Sequence, residues 1–236
     1  MNIGKIHPIV LDEKTSYLVG VIIGDGHISN AYKSKDSKSK DYRISIEVVD
    51  YEFLCDVENL FKLIIKTKST IKSRYDYRGN RRKLFRFQFR NKSFYYFLTK
   101  DLEIKPGNKC NSVKVPKDVF SSLELQKSFL AGLFDTDGGI RGKTIGFTSA
   151  SYDLIKDISK ILNNLKISHF KEHWINKKYD HKYYGIQISK KDIDKFLKGL
   201  NFMNKEKLRK VFRHVGVPEW SNGTDDSTFK RELVQA

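Results

Sequence analysis

Tyr17 to Ile28 reads YLVGVIIGDGHI, and 112 positions further on Phe129 to Ile140 reads FLAGLFDTDGGI. Both stretches carry apolar residues through a mid-segment glycine to a terminal Asp-Gly, and a repeat of this kind governs the whole architecture. The parallel continues downstream. Each motif is followed by an alternating segment, Asp41 to Val48 in one half and Lys143 to Thr148 in the other. An amphipathic stretch then begins at Tyr51 or Tyr152, with apolar residues at helical steps of three and four. Two further alternating segments follow each time: Thr70 to Tyr77 and Leu84 to Arg90, then His169 to Ile175 and Tyr183 to Ser189. FYYFLTKDL from Phe94 and IDKFLKGL from Ile193 close the two halves. Each half therefore reads helix, strand, helix, strand, strand, helix.

The repeat divides the chain into a first unit at 1–112, a linker at 113–120 marked by Pro116, a second unit at 121–217 and a polar tail at 218–236. Only the first unit carries the Lys-rich insert AYKSKDSKSK from Ala31, which reads as a loop.

With 45 Lys and Arg against 28 Asp and Glu in 236 residues, the net charge is +17, and the expected partner is a polyanion, nucleic acid first. The apolar content, 39%, excludes a disordered basic tail. Cys55 and Cys110 stand far apart without a CxxC pair, which argues against a disulfide framework and a cysteine zinc site. No apolar run approaches the ~20 residues of a membrane span, and no secretory leader is recognisable. A soluble, intracellular protein is expected, in the cytoplasm of a prokaryote or in an organelle.

Period-two alternation separates the strand faces. Phe85, Phe87 and Phe89 oppose Arg86, Gln88 and Arg90; Ile71, Tyr75 and Tyr77 oppose Lys72, Arg74 and Arg78, with Arg78-Gly79-Asn80 as a hairpin turn; Ile44, Ile46 and Val48 oppose Arg43, Ser45 and Glu47. One face packs on helices. The other carries side chains of the types that reach base edges in the major groove, although a solvated sheet face would look similar. In the second half Lys143, Tyr183 and Gln187 are the candidates, and Gly185 offers no side chain.

The stretch from Thr15 to Gly26 reads as a helix starting near Asp12 to Ser16 and stopped by its glycines. A carboxylate at that end is unfavourable, because the helix C-terminus is partially negative. Asp25 and Asp137 both take this position, and a metal cation would reverse the sign of the interaction. Gly20 with Gly24, and Gly132 with Thr136, put small residues four apart on one helix face, so the two helices can cross with their backbones close and bring Asp25 and Asp137 together.

At these residues LVGVIIGDG (Leu18 to Gly26) and LAGLFDTDG (Leu130 to Gly138) resemble the two copies of the LAGLIDADG motif, and the chain is similar to single-chain, two-repeat LAGLIDADG homing endonucleases. The resemblance implies an α+β fold of two pseudo-symmetric αββαββα halves. The motif helices would form their interface, and two four-stranded antiparallel sheets would make a DNA-binding saddle. It implies Asp25 and Asp137 as catalytic metal ligands, aided by the carbonyls of Gly24 and Thr136. Asp135 matches the motif's first Asp, but Ile23 stands there in the other copy, so a structural role is expected. The basic residues that the family keeps near the scissile phosphates correspond to Lys109 and Lys205, with Lys207 an alternative for the second. A polar residue near the end of each first strand corresponds to Glu47 and Thr148.

The activity so implied is metal-dependent, staggered double-strand cleavage of a long asymmetric DNA site, leaving 5′-phosphate and 3′-hydroxyl ends. Mg2+ is the expected ion, with Mn2+ substituting and Ca2+ supporting binding without efficient cleavage. The expected protein is a free-standing monomer encoded in an intron, with its own intron RNA as a further partner. An RNA maturase or a non-cleaving DNA-binding protein on the same fold is the alternative. A basic ribosomal or structural RNA-binding protein would explain the charge but not the paired motifs.

Overall fold

The computed structural model describes residues 9–30, 41–65, 67–77, 81–107, 111–177 and 180–216. Side-chain caps start the helices. Asp12 Oδ1 accepts from the Thr15 amide at 2.7 Å and opens α1 (Glu13–Asp25), and Ser122 Oγ accepts from the Leu125 amide at 3.1 Å and opens α4 (Leu123–Asp137). Each orphan amide of a first helical turn needs such a partner. Asp50 caps α2 (Tyr51–Ile64), Asn91 caps α3 (Lys92–Tyr96), Ser151 caps α5 (Tyr152–Asn164) and Asn204 caps α7 (Lys205–Val215). Between the last two lies α6 (Ile193–Gly199), and a π-type turn over Phe97–Asp101 extends α3.

Two antiparallel four-stranded sheets repeat one topology. The first comprises β1 (Gly26–Ile28), β2 (Arg43–Val48), β3 (Ser69–Asp76) and β4 (Arg82–Arg90), in the order β1-β2-β4-β3. The second, β5 (Gly138–Arg141), β6 (Thr144–Ser149), β7 (His169–Asn176) and β8 (His181–Ile188), runs β5-β6-β8-β7. The molecule is thus α+β with two equivalent halves. Each sheet buries one face. Phe87 and Phe89 lie 5.2 and 4.9 Å from the Phe61 ring of α2, and Phe147 meets Phe134 of α4 edge-on at 5.6 Å.

α1 packs along α4 through the small residues. A Cβ on Gly20 would run into the Phe129 carbonyl oxygen and stand 2.8 Å from the Leu133 nitrogen, and one on Gly132 would run into the Tyr17 carbonyl oxygen. These are backbone atoms, so the crossing tolerates only glycine. Ser16 Oγ donates to the Leu125 carbonyl at 2.8 Å across the same seam.

Residue patterning predicts three strands per half, whereas the fold has four. The missing ones, β1 and β5, are three and four residues long, begin on glycine directly after the motif aspartate, and are too short to display alternation. α7 was likewise unpredicted. β6 starts at Thr144, so Lys143 belongs to the β5–β6 turn and not to the strand expected for it. The insert from Ala31, the turn at Arg78-Gly79-Asn80, Lys109 and the tail at 218–236 lie outside the described residues.

Candidate functional site

The two motif helices deliver their terminal carboxylates to one place. Asp137 Cγ lies 3.5 Å from where a Cβ of Gly24 would stand, and the Thr136 side chain fills the rest of that space. Asp25 is half-buried and Asp137 exposed. Asp25 also lines a cleft of about 560 Å3 together with His27, Arg43, Ser45, Glu47, Arg86 and Gln88. The first acid therefore shares a groove with five of the residues expected to contact DNA.

Those residues form ordered charge clusters. Glu47 accepts from Arg74 Nη2 at 2.5 Å and from Arg86 Nη2 at 2.8 Å. Burial pushes the Glu47 carboxyl up, but the hydrogen bond from Arg74 and the charge of Arg86 outweigh it and hold the group below its usual range. Asp41 forms ion pairs with Arg43 at 3.5 Å and Arg90 at 3.0 Å. Arg43 and Arg90 sit opposite each other in the sheet, where like charges repel, so the carboxylate between them makes the pairing tolerable. Each cluster sets two guanidinium groups around one carboxylate and keeps a net positive charge. Arg43, Lys72, Arg74, Arg86, Gln88 and Arg90 share the sheet face away from the helices; Arg78 falls outside the described residues.

The other motif end is organised by Asp135 and Lys207. Asp135 is buried; its Oδ2 accepts from Tyr17 Oη at 2.5 Å and from the Met203 amide at 2.6 Å, while Oδ1 has no partner among the described residues. Desolvation raises its pKa to about 6, with the Tyr17 and Met203 hydrogen bonds and the Lys207 charge working in the opposite direction. A structural role fits, since the carboxylate ties α4 to α1 and to the 203–204 segment. Asn204 Nδ2 donates to the Asp135 carbonyl at 3.1 Å, and Asn204 Oδ1 caps α7 by accepting from the Lys207 amide at 2.9 Å.

That cap fixes the direction of Lys207. Its Nζ donates to the carbonyls of Phe134, Thr136 and Gly138 at 3.1, 2.6 and 3.0 Å, closing the C-terminus of α4. Burial lowers its pKa, against the charges of Asp135, Asp25 and Asp137. Lys207, one of the two lysines that the sequence leaves open, is held against the C-terminal carbonyls of α4, where its charge meets those of Asp25 and Asp137. Lys205, two residues earlier, opens the helix.

In the second sheet Tyr183 and Gln187 lie on the face away from the core, and Gln187 Nε2 donates to Glu172 Oε2 at 2.8 Å. Arg141 pairs with Glu172 at 2.6 Å and stacks over Trp174 at 4.9 Å. Sequence reasoning passed over Arg141, Glu172 and Trp174. The signal was the alternation of Glu172 and Trp174 with Lys171 and His173 in β7. Lys143 instead lines a separate cleft with Lys190, Asp194 and His214. Thr148 Oγ1 is buried without a hydrogen-bond partner among the described residues, whereas its counterpart Glu47 is held by two arginines.

A divalent ion requires donors of the right hardness. Among the described residues no group of three or more His, Cys, Asp and Glu side chains converges. Two carboxylates beside main-chain carbonyls are an all-oxygen set of the sparse kind magnesium accepts, completed by water and substrate phosphate. Asp25, Asp137 and the carbonyls of Gly24 and Thr136 are the oxygen donors at this place, the Thr136 carbonyl also accepting from Lys207 Nζ at 2.6 Å.

Paired motif helices closed by acids, between two matching four-stranded sheets, define a two-repeat α+β fold. Residues 124–216 match the LAGLIDADG-like domain family, and Leu18 to Gly26, outside that match, carries the other copy of the motif-like stretch. The fold is similar to that of the homing endonuclease I-DmoI, with a TM-score of 0.61 at 22% identity over 80% of this chain and 96% of that one. It is also similar to the homing endonuclease I-WcaI bound to its DNA recognition sequence, with a TM-score of 0.58 at 19% identity over 89% and 88%. Among curated proteins, the replication factor C small subunit of Methanocaldococcus jannaschii is 28% identical over 86% of this chain. The ribonucleoside-diphosphate reductase NrdEB subunit alpha of Bacillus subtilis is 27% identical over 70% of it. The chain spans only 10% and 15% of the length of these two. No helix among the described residues is long and apolar enough to cross a membrane.

Proposed function

We propose that the chain is a site-specific DNA endonuclease that binds a long asymmetric duplex as a monomer and hydrolyses both strands with Mg2+, Mn2+ substituting. The observation that carries this reading is the convergence of Asp25 and Asp137 at the ends of two helices, beside a groove lined by Arg43, Arg86 and Gln88. Asp25 and Asp137 would hold divalent ions, which supply a water of lowered pKa and take up charge on the leaving oxygen. The arginine clusters attract the phosphate backbone and orient base-edge contacts, a term that falls steeply with salt. Lys207 keeps a buried positive charge beside both acids, suited to the additional negative charge of a pentacoordinate phosphorus.

The decisive test is cleavage of a selected site from a randomised library. Asp25→Asn and Asp137→Asn should each reduce hydrolysis roughly 100-fold or more while leaving the fold and DNA affinity intact. A mutant lacking both acids that still cuts in Mg2+ would remove the assignment. A non-cleaving binder is the second reading. It predicts specific binding with no Mg2+-dependent cuts. Stretches similar to this chain inside longer proteins of different names support a unit that moves between genes. A free-standing intron-encoded enzyme, with its intron RNA as a further partner, is one form of such a unit. Insertion in a host protein is another.

A further inference from the structure

The two sheet faces that turn away from the helices differ in kind. On the first, Arg43, Lys72, Arg74, Arg82, Arg86 and Arg90 outnumber Glu47 and Asp76. On the second, the register places Phe170, Glu172 and Trp174 of β7 opposite Gln187, Gly185 and Tyr183 of β8, with Arg141 on β5. There the polar groups satisfy one another, because Glu172 accepts from Arg141 at 2.6 Å and from Gln187 at 2.8 Å. Glycines lower the floor beneath them: Gly139 pairs with Gly146, and a Cβ on Gly185 would stand 3.1 Å from the Trp174 ring. Trp174 therefore lies across Gly185, stacked on Tyr183 at 16° and 6.0 Å, and Phe170 is left standing with 67% of its surface in water.

Phe170 and the Trp174–Tyr183 stack together make an aromatic surface on this sheet face, and the face continues directly from the Asp137 end of α4 into β5. In a chain of net charge +17 the occupant that fits is duplex DNA. The apolar group that a base pair offers in the major groove is the thymine C5-methyl.

We propose that the half-site beneath the second sheet is thymine-bearing and is read through its methyl groups by Phe170, beside the Trp174–Tyr183 stack. The half-site beneath the first sheet is read by hydrogen bonds from arginine and glutamine. The inference rests on the endonuclease reading of the same surface. It makes Phe170 a specificity-determining residue and the two half-sites chemically unlike.

The test replaces thymine by deoxyuridine, one position at a time, in the selected DNA site, and measures equilibrium binding in Ca2+. The half-site whose base preferences relax in Arg86→Ala is the one under the first sheet. In the other half, at least one substitution should weaken binding about fourfold, the loss expected from one methyl at ~0.8 kcal/mol. Phe170→Ala, at an exposed position that should leave folding intact, should bind thymine and deoxyuridine sites equally. The inference is overturned if that half-site is selected without thymine, if deoxyuridine has no effect, or if its effect persists undiminished in Phe170→Ala. Wild-type protein that selects no DNA sequence at all would overturn the endonuclease reading itself, and this inference with it.

Discussion

At the scale of single residues, two side chains carry consequences that the motif alone does not disclose. Lys207 occupies the C-terminal carbonyls of α4, where a lone carboxylate would be disfavoured by the helix dipole. Its removal should therefore weaken both the helix end and the charge balance of the site. Lys207→Met should lower the single-turnover cleavage rate on saturating DNA by roughly 100-fold, and Lys205→Met should leave it within a few-fold; equal losses in both variants would reject the distinction. Glu47 illustrates the linkage between charge and pH. Its carboxyl is held low in the folded state, so its contribution to stability is present above the unfolded pKa and is lost as pH falls through the folded one. Urea midpoints measured from pH 6 to pH 3 should drop less steeply for Glu47→Gln than for the wild type.

At the scale of elements, the glycine crossing decides how α1 and α4 meet. Gly20→Ala or Gly132→Ala forces a methyl group onto the backbone of the other helix. Either should destabilise the protein by about 3 kcal/mol or more, since overpacking against main chain cannot relax by a rotamer change. Gly199→Ala, where a Cβ meets nothing within 4 Å, is the control and should leave the thermal midpoint near wild type. This crossing was legible because Gly20, Gly24, Gly132 and Thr136 recur with helical spacing inside a repeated motif, and the acids follow from it. β1 and β5 were not legible: three or four residues beginning with glycine carry no period. The directions in which Lys205 and Lys207 leave the helix were equally hidden, because they depend on where Asn204 caps α7 and hence on helix phase. Lys143 was misassigned by one residue, which moved it from a strand to a turn. Arg141 and Trp174 escaped notice because their significance lies in contacts between β5 and β7, which never adjoin in the sheet.

At the scale of the whole molecule, two unequal halves in one chain provide the pseudo-two-fold surface that a homodimer would otherwise assemble. Sedimentation of the protein with its selected duplex should give one chain per DNA, and an obligate dimer would reject the assignment. The sheet order also has a dynamic corollary. β1 and β5 adjoin the buried helix pair, whereas β3 and β7 lie at the outer edges, where most of their residues are exposed or only half-buried. Amide protection should thus decline outward from the α1–α4 seam, with the rim opening locally long before the molecule unfolds. The strands that would grip the ends of a bound duplex are the ones with least internal support. Association with a duplex would then quench their motion, and part of the attraction between +17 and the phosphates would be consumed in ordering the rim.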